Sequence, residues 1–473
     1  MPQNKSRLVW TEAWPFDCPN GCKQIDASGP AAQAPANGDT SLQCGLVAKR
    51  LFTALQNREL PFVSLDYADD LASRLREEAP ALSAFRHMLL LGIGGSALGA
   101  RAMQKAFYPM QDWPGHAGDP NARYLWIADN VDPESLPRWF ERLPAAQTLV
   151  VVISKSGGTI ETMSQYFLAK QWLKAQCGQD YKKHLLLITD PDSGFLRKEA
   201  TSSGLASLPV PQKLGGRYSV LCAVGLAPAL FLGLAWEELL AGAKELFAPL
   251  NQAATPEEME KVLAVHPAWN LAVWAKAMQD RGLDELIYFT YVPKLASFGA
   301  WFAQLWAESL GKNGKGSMPL PATGVTDQHS LQQMFLDGPK NKACLFISSQ
   351  NLPEGAQFPP ALDAPWAYLA GKTLKELLLA ETLGARMALA ERKIPLLEMQ
   401  LAAPDEFNVG KLIALLGLAT IFTGWLLEIN PLDQPAVELG KRLAKASLGA
   451  DGLAEEKDML NRFRNLPEKI QTF

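Results

Sequence analysis

Short apolar runs alternate with amphipathic stretches along the first half of the chain. The runs at residues 87–93, 124–128, 148–153, 184–189 and 206–210 predict strands. Between them, apolar residues spaced three and four positions apart predict helices, such as those at 97–107 and 134–142. This alternation favours a parallel, doubly wound sheet, in which ligand sites lie at the carboxyl ends of the strands.

A second series of the same kind follows a helix-rich stretch at residues 218–277. Its predicted strands are 286–291, 343–348 and 394–401, and its predicted helices are 298–310, 373–390 and 411–427. We therefore expect an α/β protein with two doubly wound parallel-sheet subdomains, at 46–250 and 251–430, and a C-terminal helical segment at 431–473. Residues 18–45 are rich in Pro, Gly, Ala and Asn, which predicts a loose segment within an N-terminal extension at 1–45.

Composition narrows the class of protein. The 473 residues are 48% hydrophobic and 20% charged, an ordinary globular balance, and the net charge of −4 offers no broad attraction for nucleic acid or an acidic membrane. The apolar stretch at 412–427 is short for a membrane span and contains Gly417 and Gly424, so it predicts a buried helix. No signal-peptide pattern opens the chain. These features predict a cytoplasmic protein that binds neither nucleic acid nor membrane.

A loop rich in small hydroxyl residues and glycine follows the strand predicted at 148–153. It reads Ser154-Lys155-Ser156-Gly157-Gly158-Thr159 and continues through Glu161 into an amphipathic helix. Outward-pointing backbone N–H groups, the positive end of the helix dipole and hydroxyl donors make such a loop an anion site. The expected anion is a phosphate on a small molecule.

A second loop, from Gly92 to Ala97, ends the strand predicted at 87–93. It matches the GxGxxA pattern of dinucleotide-binding folds, but the next acid at a strand end, Asp129, lies about 35 residues on, where that fingerprint places it at about 20. The loop also contains Ser96. Two Ser/Gly loops on one sheet favour a single ligand of sugar-phosphate size over a dinucleotide. The alternative function, a nicotinamide-dependent oxidoreductase, is supported only by the loop from Gly92 to Ala97.

Further motifs follow in order: Gly215-Gly216-Arg217-Tyr218-Ser219, then Gln304-x-x-x-Glu308 with Gly311-Lys312, Thr326-Asp327-Gln328-His329 and finally Asp433-Gln434 through Lys441. With the loop at Ser154, they resemble the phosphoglucose isomerase family, which is built from sugar isomerase domains. The resemblance spans residues 90–445. It implies reversible isomerisation of glucose 6-phosphate and fructose 6-phosphate, with no metal or cofactor. Mannose 6-phosphate as a further substrate, or a non-catalytic phosphosugar-binding module, are the alternatives.

This reaction moves a proton between adjacent carbons through a cis-enediol(ate), and one carboxylate can take and return that proton. Glu308 is the candidate. Gln304 lies one turn earlier on the same predicted helix face, so its amide could orient the carboxylate or a sugar hydroxyl. Arg217 offers a permanent positive charge for the developing enediolate oxygen, and the glycines before it, including Gly216, would allow close approach of a ligand.

The remaining roles come from the resemblance. It implies that His329 and Lys441 assist opening of the cyclic sugar, and that His329 reaches the site from the second subunit of a homodimer. Gln434 would bind substrate, and Lys441 lies seven residues later, two helical turns on the same side. The other residues expected to contact substrate are Gly95, Ser96 and Glu161 at the sugar, and Ser154, Lys155, Ser156 and Thr159 at the phosphate. His329 stands in a polar loop after the glycine-rich segment 311–324, whereas the other four histidines are expected to be structural.

Overall fold

The computed structural model describes residues 5–10, 38–113 and 115–466, and it contains two five-stranded sheets. The strands are β1 (Arg7–Trp10), β2 (His87–Leu91), β3 (Tyr124–Ala128), β4 (Thr148–Ile153), β5 (Leu185–Thr189), β6 (Ala206–Pro209), β7 (Glu285–Thr290), β8 (Met318–Thr323), β9 (Lys342–Ser349) and β10 (Leu396–Leu401). The expected α/β fold with two sheets is therefore confirmed.

The first sheet has the order β3-β2-β4-β5-β6, and all of its strands are parallel. Every residue of the central strand β4 is buried, as its continuous run of apolar residues predicts for a strand covered on both faces. The predicted strands differ from the observed ones by two residues or fewer at either end. The carboxyl ends of β2 and β4 are neighbours, so the two Ser/Gly loops meet at one edge of the sheet.

The second sheet has the order β1-β10-β9-β7-β8, with β1 antiparallel and the other strands parallel. Its inner strands β7, β9 and β10 were predicted, but the two edge strands were missed. In β8 the residues Pro319 and Pro321 argue against a strand, yet proline is tolerated at an edge because half of the backbone N–H groups there need no partner. The segment 311–324 is therefore a turn followed by a strand.

Helices cover both faces of the sheets. They are α1 (Gly38–Gln56), α2 (Pro61–Ser64), α3 (Ala68–Ser83), α4 (Leu98–Phe107), α5 (Ser135–Arg142), α6 (Ile160–Cys177), α7 (Phe195–Ser203), α8 (Ala223–Phe231), α9 (Trp236–Asn251), α10 (Pro256–Val265), α11 (Pro267–Asp280), α12 (Phe298–Leu310), α13 (Gln332–Asp337), α14 (Leu374–Glu391), α15 (Glu406–Leu426), α16 (Glu438–Ser447) and α17 (Ala454–Arg464).

The N-terminal part departs from expectation in two places. The segment predicted to be loose, 18–45, enters helix α1 at residue 38, while its residues 18–37 lie outside the described part of the chain. Strand β1, within the predicted extension, pairs with β10 of the second sheet, with Arg7 opposite Gln400. Residues 7–10 thus complete the distant sheet, which sequence distance alone could not indicate. The subdomain boundaries at 45, 250 and 430 stay a prediction.

Helix α15 lies at the centre of the molecule. It packs along α9 and α11, and the backbones approach so closely that a Cβ on Gly410 would lie 2.0 Å from the carbonyl oxygen of Leu239. By length and composition, α15 is the one described helix that could cross a membrane, but 94% of its most apolar window is buried inside the fold. The expectation of a buried core helix is confirmed. Its end delivers residues 430–434 to the functional site.

Candidate active site

The turn after β2 touches a glycine turn that lies more than 100 residues away in sequence. Gly94–Ser96 and Gly216–Leu221 form short 3₁₀ helices that pack on each other. A Cβ on Gly95 would lie 2.3 Å from the carbonyl carbon and oxygen of Gly216, and a Cβ on Gly94 would lie 2.8 Å from Nε2 of Gln304. Only glycine permits these approaches, so the structure unites Gly95, Gly216 and Gln304 as neighbours.

The loop after β4 presents hydroxyl groups at the start of α6. The Ser154 side chain is buried, and its Oγ lies 3.1 Å from Oγ1 of Thr159. The Thr189 hydroxyl donates to the Ser154 carbonyl oxygen over 2.8 Å, which holds the loop against β5. Thr159 stands at the N-cap of α6 without a side-chain cap bond, so the first N–H groups of this helix are not capped by it. The arrangement fits an anion.

Lys155 is held by a contact of its own within this loop. Its Nζ donates to the carbonyl oxygen of Leu214 over 2.9 Å, just before Gly215 and Gly216. Burial lowers the pKa of the Lys155 ammonium, while the nearby Asp190 carboxylate raises it. Lys155 therefore connects the loop after β4 to the segment just before Gly215 and Gly216 by a hydrogen bond.

Three further candidate residues border the same region. The side chains of Ser96 and Glu161 are half-buried, and neither makes a hydrogen bond to the described residues. The Ser156 Oγ accepts from the Gly158 N–H over 3.3 Å. These polar side chains therefore stand at the edge where β2 and β4 end.

Arg217 is buried, with 3% of the residue exposed, and all three of its guanidinium nitrogens donate hydrogen bonds. Its Nε donates to Ser309 Oγ at 2.7 Å. Its Nη1 donates to Glu308 Oε2 at 3.1 Å and to Gln434 Oε1 at 2.8 Å. Its Nη2 donates to the carbonyl oxygens of Pro431 at 2.6 Å and Asp433 at 3.0 Å. A fixed cation of this kind has one orientation.

Glu308 projects from α12 with both carboxylate oxygens engaged. One oxygen accepts from Arg217, and the other accepts from Nε2 of Gln304, one turn earlier, at 2.9 Å. The predicted orientation of the carboxylate by the amide is thus observed. The Glu308 side chain keeps 34% of its surface exposed, so a ligand can reach it. The Oε1 of Gln304 is buried without a hydrogen-bond partner among the described residues.

Sequence reasoning missed Ser309, which follows Glu308 on the buried side of α12. Its hydroxyl accepts from Arg217 Nε and lies 3.0 Å from the hydroxyl of Tyr218. Burial raises the pKa of the Tyr218 phenol, which keeps it a neutral donor. A signal was available, because a polar residue on the apolar face of a predicted helix needs a buried partner.

His329 lies apart from this cluster within one chain. It ends a 3₁₀ turn that Asp327 stabilises by accepting from the N–H of Thr323 and from the hydroxyl of Ser330, both at 2.6 Å. The imidazole is exposed and makes no hydrogen bond or ion pair with any residue the structure describes. The other four histidines all make hydrogen bonds, as expected for structural roles; they are His87, His116, His184 and His266.

Lys441 makes no hydrogen bond or ion pair with Glu308 or Arg217. Its Nζ pairs with Glu438 Oε1 at 2.7 Å on α16, and both side chains are at least half exposed. The helical argument that placed it on the same side as Gln434 is wrong. Gln434 precedes a 3₁₀ turn, Pro435–Val437, and the helix begins only at Glu438, so the two residues do not share a helix.

The cluster therefore combines a reachable carboxylate, a buried cation beside it, an unpartnered amide oxygen and a separate anion loop. A carboxylate flanked by a fixed positive charge is suited to moving a proton while negative charge develops nearby. Over the residues described, no group of three or more His, Cys, Asp or Glu side chains could hold a metal ion.

The family model and the similar proteins that match this chain all point to one family. The family model for phosphoglucose isomerase matches residues 76–461. A probable glucose-6-phosphate isomerase from Methanococcus maripaludis is 33% identical over 420 residues, which cover 88% of this chain and 91% of that protein. A glucose-6-phosphate isomerase from Rubrobacter xylanophilus is 37% identical over 393 residues, covering 82% and 87%.

Two solved structures superimpose on this chain over most of its length. A hypothetical protein from Thermus thermophilus superimposes with a TM-score of 0.75 at 32% identity, over 87% of this chain and 95% of that one. A glucose-6-phosphate isomerase from Chlamydia trachomatis superimposes with a TM-score of 0.63 at 23% identity, over 88% and 80%, and so shares the fold.

Proposed function

The chain belongs to the phosphoglucose isomerase family, and from this premise we propose that Glu308 and Arg217 carry out the reversible isomerisation of glucose 6-phosphate and fructose 6-phosphate. The observation that carries the assignment of the site is the ion pair between these residues at 3.1 Å, with the carboxylate still partly exposed. A base that is both positioned and reachable is what proton abstraction needs.

In the forward direction, the Glu308 carboxylate takes the proton from C2 of the open-chain aldose. The electron pair of that bond forms the C1–C2 double bond of the enediolate, while the π electrons of the C1 carbonyl move to O1. The hydroxyl proton moves from O2 to O1, the electrons on O2 form the C2 carbonyl, and the C1–C2 double bond takes the proton back from the Glu308 carboxyl at C1. The product is the ketose, and no electrons are gained or lost. Arg217 lowers the energy of the enediolate because its charge lies beside the reacting carboxylate in a buried setting.

Gln304 has a double role in this proposal. Its Nε2 orients Glu308, and its buried Oε1 lacks a partner among the described residues. An unpartnered buried acceptor is costly unless a ligand donates to it. We assign that donor to a substrate hydroxyl. A Cβ on Gly216 would meet no atom within 4 Å, which leaves room for the sugar, and Gly95, Ser96 and Glu161 border the sugar in this proposal.

The phosphate is assigned to the loop of Ser154, Ser156 and Thr159 at the start of α6. Removing two hydroxyls in Ser154→Ala with Thr159→Ala is expected to raise the KM for fructose 6-phosphate by about a hundredfold or more, because each hydrogen bond to a charged group contributes about 1.5–3 kcal/mol and two are removed. The kcat should change little. Steady-state kinetics measure both constants.

The matched control is Ser164→Ala, which removes an exposed hydroxyl on α6 that bonds the Glu161 carbonyl oxygen at 2.8 Å. Its KM should equal that of the wild type. An unchanged KM in the double variant would place the phosphate elsewhere.

His329 and Lys441 are proposed to assist ring opening, with His329 supplied by the partner subunit of a homodimer. Two features support this. His329 is exposed and has no partner in its own chain among the described residues. The neighbouring helix α14 exposes Leu379, Leu383 and Met387 at four-residue spacing, and Gln328 contacts the backbone of Glu381 on that helix. An apolar helix face beside an isolated histidine fits burial against a second copy.

Subunit complementation tests this arrangement. We expect His329→Gln and Glu308→Gln to be nearly inactive alone, and a random mixture of their subunits to recover about a quarter of wild-type activity, because half of the dimers are mixed and half of their sites are intact. Sedimentation should show dimers throughout. A mixture without recovered activity would mean that His329 acts in its own chain or not at all.

The reaction itself is tested by proton NMR of glucose 6-phosphate with the purified protein in deuterium oxide. We expect fructose 6-phosphate to appear and deuterium to enter C2 of the aldose. Absence of both would favour a phosphosugar-binding module, and a parallel run with mannose 6-phosphate defines the substrate range. We place the enzyme in the cytoplasm, consistent with a family that acts on a sugar phosphate.

A further inference from the structure

The residues 430–434, here called the cage segment, hold the guanidinium of Arg217 from one side. The carbonyl oxygens of Pro431 and Asp433 accept from its Nη2, and the Gln434 side chain accepts from its Nη1. The direction in which Arg217 points therefore depends on where this segment lies. Because the segment has no regular secondary structure before the turn at Pro435, something else must hold it in place.

Lys312 provides that restraint. Its Nζ donates to the carbonyl oxygen of Asn430 at 2.6 Å and pairs with Asp433 Oδ1 at 3.2 Å. The same Nζ donates to the carbonyl oxygen of Ser309 at 2.9 Å, at the C-terminal end of α12. Only 11% of the Lys312 side chain is exposed. One ammonium group thus joins both ends of the cage segment to the helix that carries Glu308.

Two hydrogen bonds made by the Asn430 side chain lie within the cage segment. The Asn430 Nδ2 donates to Asp433 Oδ2 at 2.9 Å, and the Asn430 Oδ1 accepts from the N–H of Leu432 at 3.0 Å. Lys312 therefore binds a segment that is already compact, so a shift at Asn430 or Asp433 would carry Pro431 and the acceptors of Arg217 with it.

We propose that Lys312 is a positioning residue for the isomerisation, which acts by holding the cage segment, and through it Arg217, at a fixed distance from Glu308. The proposal rests on the assigned roles of Glu308 and Arg217. Lys312 makes no hydrogen bond or ion pair with either of these two side chains, although its charge interacts with both at longer range, so the contacts that place it in the site are those to the cage segment and to α12. A fixed donor stabilises developing charge without reorganisation, and a misplacement of about 1 Å can cost about a hundredfold in rate.

The chain contains a matched control three residues later. Lys315 lies in the same tight turn, and its Nζ donates to the carbonyl oxygen of Leu427 at 2.7 Å. It joins the same turn to the end of α15, but it does not contact the cage segment. Each of Lys312→Met and Lys315→Met removes one ammonium group. The first removes two contacts to the chain beyond α15 and releases the segment that holds Arg217, whereas the second removes one contact and leaves that segment in place.

The experiment compares these two variants with the wild type in the forward and reverse reactions. We expect Lys312→Met to lower kcat by about tenfold to a hundredfold, with KM within about twofold because the phosphate loop is untouched. A hydroxamate analogue of the enediolate should bind more weakly by a similar factor, because only the charge-developing state needs Arg217 in position. Lys315→Met should keep the wild-type kcat, and Lys312→Arg should regain most of the lost rate.

Thermal unfolding of each variant separates positioning from stability. If Lys312→Met does not fold, Asp433→Asn removes the ion pair while leaving the lysine, and we expect the same pattern at a smaller size. A kcat for Lys312→Met within about twofold of the wild type would overturn the proposal, and so would an equal loss in Lys315→Met. An active Glu308→Gln would instead overturn the proposed site itself, so the two failures are distinguishable.

Discussion

The Glu308→Gln variant is expected to lose about 10²–10⁴-fold in kcat, the range typical for removal of a general base. Glutamine keeps the size of the side chain, and its one amide oxygen can still accept from Arg217, but it cannot take a proton from C2. The KM should change little because the phosphate contacts lie on another element. The deuterium-exchange experiment separates the chemical step from binding, since the variant should also fail to exchange C2 of the aldose.

The Glu237→Gln variant is the control, because it also replaces a carboxylate by an amide but does so outside the site. Glu237 is exposed and forms an ion pair with Arg76 at 3.0 Å, and it makes no contact with Glu308 or Arg217 in the described hydrogen bonds and ion pairs. This variant should keep the wild-type kcat. If Glu308→Gln turned over at a rate near that of Glu237→Gln, the carboxylate of Glu308 would not be the base.

Replacing Arg217 by lysine is expected to lower kcat by about 10²–10³-fold, the size of effect that follows loss of a preorganised group that stabilises developing negative charge. Lysine keeps the charge but cannot reproduce the guanidinium fork that bonds Ser309, Glu308 and the cage segment together. The free energy of unfolding should fall as well, because the three N–H groups of lysine cannot serve all five acceptors around Arg217, and each buried acceptor left unsatisfied costs about 1–3 kcal/mol.

A coupled assay of kcat tests the predicted loss of rate, and a denaturant titration tests the predicted fall in the free energy of unfolding. The control is Arg76→Lys, whose exposed guanidinium pairs with Glu237 and should tolerate the change with little loss of either quantity. Wild-type kcat in Arg217→Lys would mean that a point charge suffices, and that the hydrogen-bonded orientation of the guanidinium has no part in the reaction.

Local patterns in the sequence predicted a large part of this structure. The strands of the first sheet were predictable because a parallel sheet covered on both faces requires continuous apolar runs, and β4 is such a run. The loop at Ser154 and the pairing of Gln304 with Glu308 were predictable for a similar reason. Each depends on residues within one turn or one strand end, where spacing along the chain fixes distance in space.

The edge strands were not predictable in this way. β8 contains Pro319 and Pro321, and β1 consists of only Arg7–Trp10, so neither shows the pattern of a buried strand. Both are strands because a neighbour supplies hydrogen bonds to one side, and that neighbour is set by the fold. The same limit explains why Gln434 and Lys441 were wrongly placed on one helix, since a 3₁₀ turn intervenes.

By itself, the sequence determined the α/β class, because that depends on residue type and local spacing. The anion loop at the start of α6 was predicted in the same way, and Glu308 and Arg217 were predicted as the carboxylate and the cation from the order of the motifs and the family resemblance. The tertiary structure alone decided that Arg217 points at Glu308. That orientation needs Ser309 and the cage segment, which come from different elements and meet only because α15 is buried at the centre of the molecule. Contacts between distant segments carry no periodicity along the chain, so only the folded molecule specifies them.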